Sequence, residues 1–454
     1  MKIGIIGAGS AGYVAALRAA QLGGEVYLFE KGEIGGTCLN VGCIPTKALI
    51  AGVYHARQAR ESAILGVLAS DVRIDLNRLQ DHKESVVTAN VRGIEYLLQK
   101  RGVKLNRLDA QIVSPKEITA QGEKFEIDKL IIATGSKPAC IPCAKIDGKY
   151  IMSSDHILSL REVPKTLLVV GGGVIGLEFA GIMAGLGCQV TVVEMLERLI
   201  PVDDEECSRA AQKFAQINNI EVMTGAAVTQ LFPDGDAVQT EIDTGKEKII
   251  RRFQKCLMAV GRQPNLDEQS LKKIGVDYDR KGIKTDSFMQ TNVKDVYAIG
   301  DCCGGYMLAH VAYAQGKIAV AHALGHNTPP MRYDNIPRVT FVHPEIAVCG
   351  LTSKQLEEKG MTIKWSKFSY MASGRARAQG IKDGFFKIGV DQEGIIRSAI
   401  IVGENAGEMI SFYSQAITMQ TPIELLEQTI IAHPTLSEMA IEVVETAAGH
   451  PLHA

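Results

Sequence analysis

An excess of charge of either sign is missing from this sequence. Its 454 residues carry a formal net charge of -2, too little to set up a broad field that attracts nucleic acid or an anionic membrane. No low-complexity tract interrupts it. The opening MKIGIIGAGS lacks a small-residue cleavage site after a free-standing apolar run, which argues against a signal peptide. The window nearest to a membrane span, TLLVVGGGVIGLEFAGIMAGLG from Thr166, holds seven glycines and Glu178. A buried strand, turn and helix explains it better than a span. The ten cysteines are scattered without a framework. The expectation is a soluble cytoplasmic protein with no structural disulfides, in which any disulfide is catalytic. At roughly 100–200 residues per domain, the length predicts about three domains.

What the chain does have is a repeat. KIGIIGAGSAG is a short apolar run followed by Gly7, Gly9 and Gly12; LLVVGGGVIG repeats it with Gly171, Gly173 and Gly176. Each copy precedes a helical pattern and then a second strand ending in an acid, Glu30 in VYLFE and Glu194 in VTVVE. Both acids lie 23 residues after the first glycine of their motif. A lone GxGxxG is weak evidence, but this ordered set occurring twice is strong evidence for two dinucleotide-binding units. The first glycine permits a tight turn, the second lets a diphosphate approach the backbone, and the third lets helix and strand pack closely. The helix N-terminus then offers unpaired N–H groups to the phosphates, and the acid accepts from ribose hydroxyls.

The copies also share a later strand, LIIATGSKP ending near Gly135 and CLMAVGRQPN ending near Gly261. The interval from first glycine to this one is 128 residues in the first copy and 90 in the second. The surplus holds GGTCLNVGCIPTK, with Cys38 and Cys43, and the helical stretch KALIAGVYHARQARESA. Spacing alone leaves those cysteines open as a disulfide, a metal clip or two inert thiols. A metal clip needs two more ligands at usual spacings, and none lies nearby, so no metal site is expected. CIPC (Cys140, Cys143) and the adjacent Cys302 and Cys303 receive no role.

In TNVKDVYAIGDCCGGYMLAH a strand is expected to end at Gly300–Asp301, with a helix after it. This implies that the first unit resumes after the second. From about Asn335 the pattern becomes α+β: PRVTFVHPEIAVCG, IKWSKFSY, GFFKIGVDQ and IIRSAIIVG read as strands, LTSKQLEEKG and AGEMISFYSQAITM as helices. IIAHPTLSE precedes a final helix. The fold class is therefore α/β, with two Rossmann-like units and a C-terminal α+β domain. Its expected boundaries are 1–149 with 266–334 (discontinuous), 150–265, and 335–454.

Together, GGTCLNVGCIPTK, GGGVIGLEF, VYAIGD with MLAH, and HPTLSE resemble the pyridine nucleotide–disulfide oxidoreductase family over essentially the whole chain. Within it, the likeness is strongest to members that oxidise protein-bound dihydrolipoamide to lipoamide with reduction of NAD+. The resemblance implies FAD at Gly7, Gly9, Gly12, Glu30, Gly36, Thr37, Lys47, Ala110, Thr134, Gly135, Asp301, Ala309 and His310. It implies NAD at Gly171, Gly173, Gly176, Glu194, Val228 and Gly261. It makes Cys38 and Cys43 a redox disulfide, with Cys38 facing the substrate and Cys43 the flavin. Lys47 is implied beside the flavin and paired with Glu178. His433 and Glu438 are implied as the acid–base pair, serving the other subunit of a homodimer. The implied partner is a lipoyl-bearing protein of a 2-oxo acid dehydrogenase complex or the glycine cleavage system; neither nucleic acid nor membrane is expected.

Glu194 would repel a 2′-phosphate and accept from a 2′-hydroxyl, which predicts NAD over NADP; Arg198, four positions on, is a weaker opposing signal. Two alternatives remain: a related NAD(P)H-dependent reductase of another small disulfide, and a flavin-binding scaffold subunit. A mercuric reductase would be expected to end in a cysteine pair, whereas this chain ends GHPLHA.

Overall fold

The computed structural model describes residues 1–453. Its first sheet is parallel, ordered Val296–Ala298, Lys129–Ile132, Lys2–Ile6, Glu25–Phe29, Lys104–Asn106. Ile3, Ile5, Leu28 and Ile131 are fully buried, as expected for strands covered on both faces by helices. The second sheet is also parallel, ordered Glu221–Met223, Gln189–Val193, Thr166–Val170, Lys255–Met258, Ile151–Met152. Aligned on their glycine strands, Lys2–Ile6 and Thr166–Val170, the two sheets share the order of four strands; the fifth, Val296–Ala298, comes last in sequence in the first sheet, whereas Ile151–Met152 comes first in the second. Each unit also carries a three-stranded antiparallel meander, starting at Ala110 in one and Ala227 in the other. Strand Val296–Ala298 follows the second unit in sequence yet pairs with Lys129–Ile132 of the first sheet.

Two boundaries differ from the sequence reading. The strand expected to end at Gly300–Asp301 stops at Ala298, and Asp301 sits in a 3-10 turn, Gly300–Cys303. Gly300 turns the chain there with φ +75°, a conformation that glycine adopts at little cost. The cysteine segment is also more helical than its glycines suggest. Gly36–Val41 is one helix, and Cys43 itself starts the 19-residue helix Cys43–Glu61. Pro45 does not interrupt that helix, because its missing N–H falls in the first turn, where no intrahelical partner exists.

The surplus of the first copy is therefore the helix Cys43–Glu61 packed against a second one, Leu76–Lys100. The helical run Gly36–Leu65 is long and apolar enough to cross a membrane by length and composition alone. Here it breaks at Gly42, packs on Leu76–Lys100 and Val174–Gly185, and carries an ion-paired lysine. It packs along one side, where Leu39, Pro45, Thr46, Leu49 and Ala56 are buried.

The C-terminal part is a five-stranded antiparallel sheet, ordered Arg338–Thr340, Glu345–Gly350, Ile396–Gly403, Phe385–Val390, Lys364–Ser369. Alternation along its strands divides the side chains between two cores. Ala347, Cys349, Ala399 and Ile401 pack beneath helices Ala406–Met419 and Met439–Ala448. Ile346, Val348, Ile400 and Val402 face the other way, into the core of the second unit.

Candidate active site

Cys38 lies in the short helix and Cys43 at the N-terminus of the long one, with Gly42 between. A Cβ at Gly42 would stand 2.7 Å from the Thr37 carbonyl oxygen and 3.1 Å from the Cys38 Cα. Only glycine lets the two cysteine turns close this tightly. Both thiols are free and share a hydrogen bond. The Cys38 S–H held against it draws the Cys43 thiol down to about 7; burial works against that shift, and the Lys47 ammonium adds to it. Cys38 is pushed up in turn, because its proton is fixed against its neighbour and it is itself buried. The arrangement favours the shared proton on Cys38 and the negative charge on Cys43, at the helix start, where the helix dipole also favours it.

Lys47 follows one helical turn after Cys43. Its Nζ donates to both carboxylate oxygens of Glu178, at 2.9 and 2.8 Å. Glu178 is buried in helix Val174–Gly185 of the second unit. Its Oε1 also accepts from the Phe341 N–H at 3.1 Å, and the Lys47 ammonium stands 4.4 Å from the centre of the Phe341 ring. All three parts of the molecule thus meet one helical turn from the thiolate.

The glycine loops show what each glycine is for. A Cβ at Gly7 would meet the Ala133 carbonyl oxygen at 2.3 Å, and one at Gly12 the Gly7 carbonyl oxygen at 1.8 Å. In the second loop, Gly171 faces the Ala259 oxygen at 2.4 Å and Gly176 the Gly171 oxygen at 2.0 Å. The middle glycines are open: nothing lies within 4 Å of a Cβ at Gly173, and only the Gly36 Cα, at 3.8 Å, near one at Gly9. The acids have matching partners. Glu30 accepts from the Ala8 and Gly32 N–H groups at 2.6 and 2.8 Å, and Glu194 from those of Gly172 and Leu196 at 2.6 and 2.8 Å.

A cavity of about 420 Å³ gathers Gly7, Gly9, Glu30, Gly36, Thr37, Ala110, Thr134 and Gly135. Gly12 stands behind it as packing. Asp301 is joined to this wall through residues that sequence reasoning missed. Ser136 Oγ donates to Asp301 Oδ2 at 2.6 Å, and Arg262 Nε donates to Ser136 Oγ at 2.7 Å. The signal was present in the paired strand ends ATGSKP and VGRQPN, which cross as antiparallel strands Ser136–Pro138 and Arg262–Pro264. Ala309 opens the helix Ala309–Ala323, and His310 Nε2 bonds to the Pro337 carbonyl at 2.9 Å.

On the second unit, Val228 lies in strand Ala227–Asp234, and Gly261 turns with φ +103°. Arg198 is held by Ser208 Oγ and the Pro201 carbonyl, both at 3.1 Å. His433 and Glu438 form a pair, Nδ1 to Oε1 at 2.7 Å, with Glu438 Oε2 accepting from the Thr435 N–H at 2.8 Å. Although burial works against it, the Thr435 N–H and the imidazole hold the Glu438 carboxyl below its usual range. The His433 side chain is 81% exposed. Among the described residues, no hydrogen bond joins it to Cys38 or Cys43 of its own chain.

The pyridine nucleotide-disulphide oxidoreductase family model matches residues 1–316, and that family's dimerisation domain matches residues 336–444. The chain is 37% identical over 461 residues to a dihydrolipoyl dehydrogenase of Bacillus subtilis (strain 168), covering 100% of both chains. It is 38% identical to a dihydrolipoyl dehydrogenase of Zymomonas mobilis, over 99% of this chain and 98% of the relative. The crystal structure of LpdA from Mycobacterium tuberculosis aligns with a TM-score of 0.92 and 26% identity, over 98% of this chain and 99% of that one. The chain belongs to the pyridine nucleotide-disulphide oxidoreductase family.

Membership in this family brings FAD and NAD(H) as cofactors, and the residues fit both. Each loop presents a helix N-terminus and an open middle glycine, the shape a diphosphate fills. The matched dimerisation domain supports a homodimer. Phe341 is the other contributor that sequence reasoning missed. It acts through a backbone N–H and an apolar ring, and nothing in its local pattern marks either.

Proposed function

We propose that the chain is an NAD-dependent dihydrolipoyl dehydrogenase, oxidising protein-bound dihydrolipoamide to lipoamide through a Cys38–Cys43 disulfide. The observation that carries this reading is the geometry of the dithiol: Cys38 in the short helix and Cys43 at the N-terminus of the long one, one turn before a lysine ion-paired to the buried Glu178. The full-length likeness to dihydrolipoyl dehydrogenases supports the substrate. We divide the chain into an FAD-binding domain (1–149 and 266–334), an NAD-binding domain (150–265) and a dimerisation domain (335–454). Gly7, Gly9, Glu30, Gly36, Thr37, Ala110, Thr134, Gly135, Asp301, Ala309 and His310 hold FAD, with Gly12 as backing. Gly171, Gly173, Gly176, Glu194, Val228 and Gly261 hold NAD.

In this reading the His433–Glu438 pair of one subunit serves the dithiol of the other, which suits its exposure. The imidazole takes a proton from one substrate thiol at Nε2, while Glu438 on Nδ1 fixes the tautomer and favours the imidazolium. The substrate thiolate attacks Cys38 Sγ, and the Cys38–Cys43 bond breaks. Cys43 leaves as a thiolate, stabilised by Lys47 and the helix N-terminus. His433 passes that first proton to Cys38 Sγ as the second substrate thiol attacks the substrate sulfur bound to Cys38; the substrate disulfide closes, Cys38 departs as a thiol, and the freed imidazole takes up the second thiol's proton. FAD supplies the two-electron acceptance and the hydride transfer to nicotinamide.

Glu194 disfavours a 2′-phosphate, and Arg198, held by Ser208 and Pro201, does not offset it. A lipoyl-bearing protein as partner and a cytoplasmic location complete the proposal. Steady-state kinetics test it: Cys38→Ser loses dihydrolipoamide oxidation by at least about a thousandfold, yet keeps part of its NADH oxidation with an artificial acceptor. Full dithiol activity in that variant overturns the reading, and no dithiol activity in the wild type favours the scaffold.

A further inference from the structure

Two cysteines outside the catalytic dithiol share a turn. Cys140 and Cys143 bracket CIPC in the connection from strand Ser136–Pro138 to strand Ile151–Met152. Both are free and exposed. The Ala144 N–H closes a reverse turn on the Ile141 carbonyl at 3.2 Å. The Cys140 S–H crosses that turn to the Ala144 carbonyl at 3.3 Å. Ile141 and Ala144 pack against the core of the second unit, so the turn is anchored while its thiols face water. The Cys143 S–H donates to the Val228 carbonyl at 3.4 Å. Among the described residues, no group of three or more metal-ligating side chains forms.

We propose that Cys140 and Cys143 are a second dithiol–disulfide site, open to a small-molecule disulfide, whose state is felt at the nucleotide cleft through Val228. Partial burial, with the nearby Cys140, keeps the Cys143 thiol above its ordinary range, and its S–H is engaged by the Val228 carbonyl; in the exchange Cys140 is the attacking sulfur and Cys143 the resolving one. The Cys140 thiolate attacks one sulfur of the small disulfide, that S–S bond breaks, and one thiol leaves. Cys143, deprotonated in turn, attacks the Cys140 sulfur; the second thiol leaves and the Cys140–Cys143 bond forms. Two electrons pass from the protein dithiol to the small disulfide, and both thiol protons end on the released thiols. The Cys143 S–H donor is thereby consumed, and the Val228 carbonyl loses its partner.

The test uses the holoenzyme and oxidised glutathione, followed by alkylation and mass spectrometric mapping. The peptide carrying both cysteines is expected to lack alkylation and to be lighter by two hydrogens, with no such internal bond in Cys140→Ser. Full alkylation of both thiols, or a stable glutathione adduct on either, overturns the site. The same mapping in a Cys38→Ser/Cys43→Ser variant needs no turnover, so failure of the proposed activity leaves this readout intact. The coupling to Val228 rests on the proposed NAD site. There, oxidation should shift KM for NAD+ about two- to fivefold, the scale of one weak hydrogen bond, with kcat unchanged. Cys140→Ser should show no shift. An unchanged KM in the oxidised wild type overturns the coupling.

Discussion

The two glycine-loop units are the same device put to different uses. Their sheets share the order of four strands, their first and third glycines close on equivalent carbonyls, and their acids accept from equivalent N–H groups. The differences lie in two places. After its second strand, the first unit inserts the paired cysteine helices. Two positions past the third glycine, the first unit has Val14 and the second has Glu178. That carboxylate takes the lysine of the inserted helix. Of two matching nucleotide cradles, one carries a dithiol followed by a lysine, and the other supplies the carboxylate that holds that lysine.

The largest break in this comparison is expected at Glu178. Glu178→Gln leaves Lys47 without its carboxylate, and because Lys47 is one-third exposed the cost is placed at about 2–3 kcal/mol, read by denaturant unfolding. The loss of alignment should lower dithiol oxidation about 100-fold. The thiolate has a signed response. Glu178 opposes ionisation of Cys43 and Lys47 favours it. Iodoacetamide labelling of the reduced protein against pH should therefore show the Cys43 pKa falling in Glu178→Gln and rising in Lys47→Met. Shifts in the same direction would show that the pair does not control the thiol.

Next comes the division of labour within a loop. Gly171→Ala puts a Cβ against the Ala259 oxygen and forces a positive φ on alanine, costing about 3 kcal/mol. Gly173→Ala should leave the unfolding midpoint unchanged and weaken NAD binding by fluorescence titration. Equal destabilisation by the two would erase the distinction between packing glycine and open glycine.

These predictions rest on features of unequal legibility. The glycines, the strand-end acids and the cysteines are readable because each encodes a local backbone requirement or a reactive group, and the units repeat it. His433 and Glu438 are five apart in one segment, so their pairing is also local. The Ser136–Arg262 link to Asp301 and the Phe341 contact to Lys47 depend on crossings between distant segments, for which no spacing is diagnostic. The requirement at Gly42, the close approach of two helical turns, exists only in three dimensions.

The smallest effect is expected at Glu194. Glu194→Gln removes the charge that opposes a 2′-phosphate while keeping an acceptor for a 2′-hydroxyl. The ratio of kcat/KM for NAD+ over NADP+ should narrow about tenfold, or about 1.4 kcal/mol. The matching change at Glu30 should leave that ratio unaltered, since Glu30 belongs to the flavin copy. A change in nucleotide preference there would contradict the assignment of the two cradles.

The central claim is that the inserted dithiol feeds the flavin cradle through the Cys43 thiolate. Anaerobic addition of one equivalent of dihydrolipoamide to the oxidised holoenzyme, followed by its visible spectrum, tests this most directly. The account predicts a long-wavelength thiolate–flavin band that is absent in Cys43→Ser. Flavin bleaching with no such band, or a band that survives in Cys43→Ser, would contradict it.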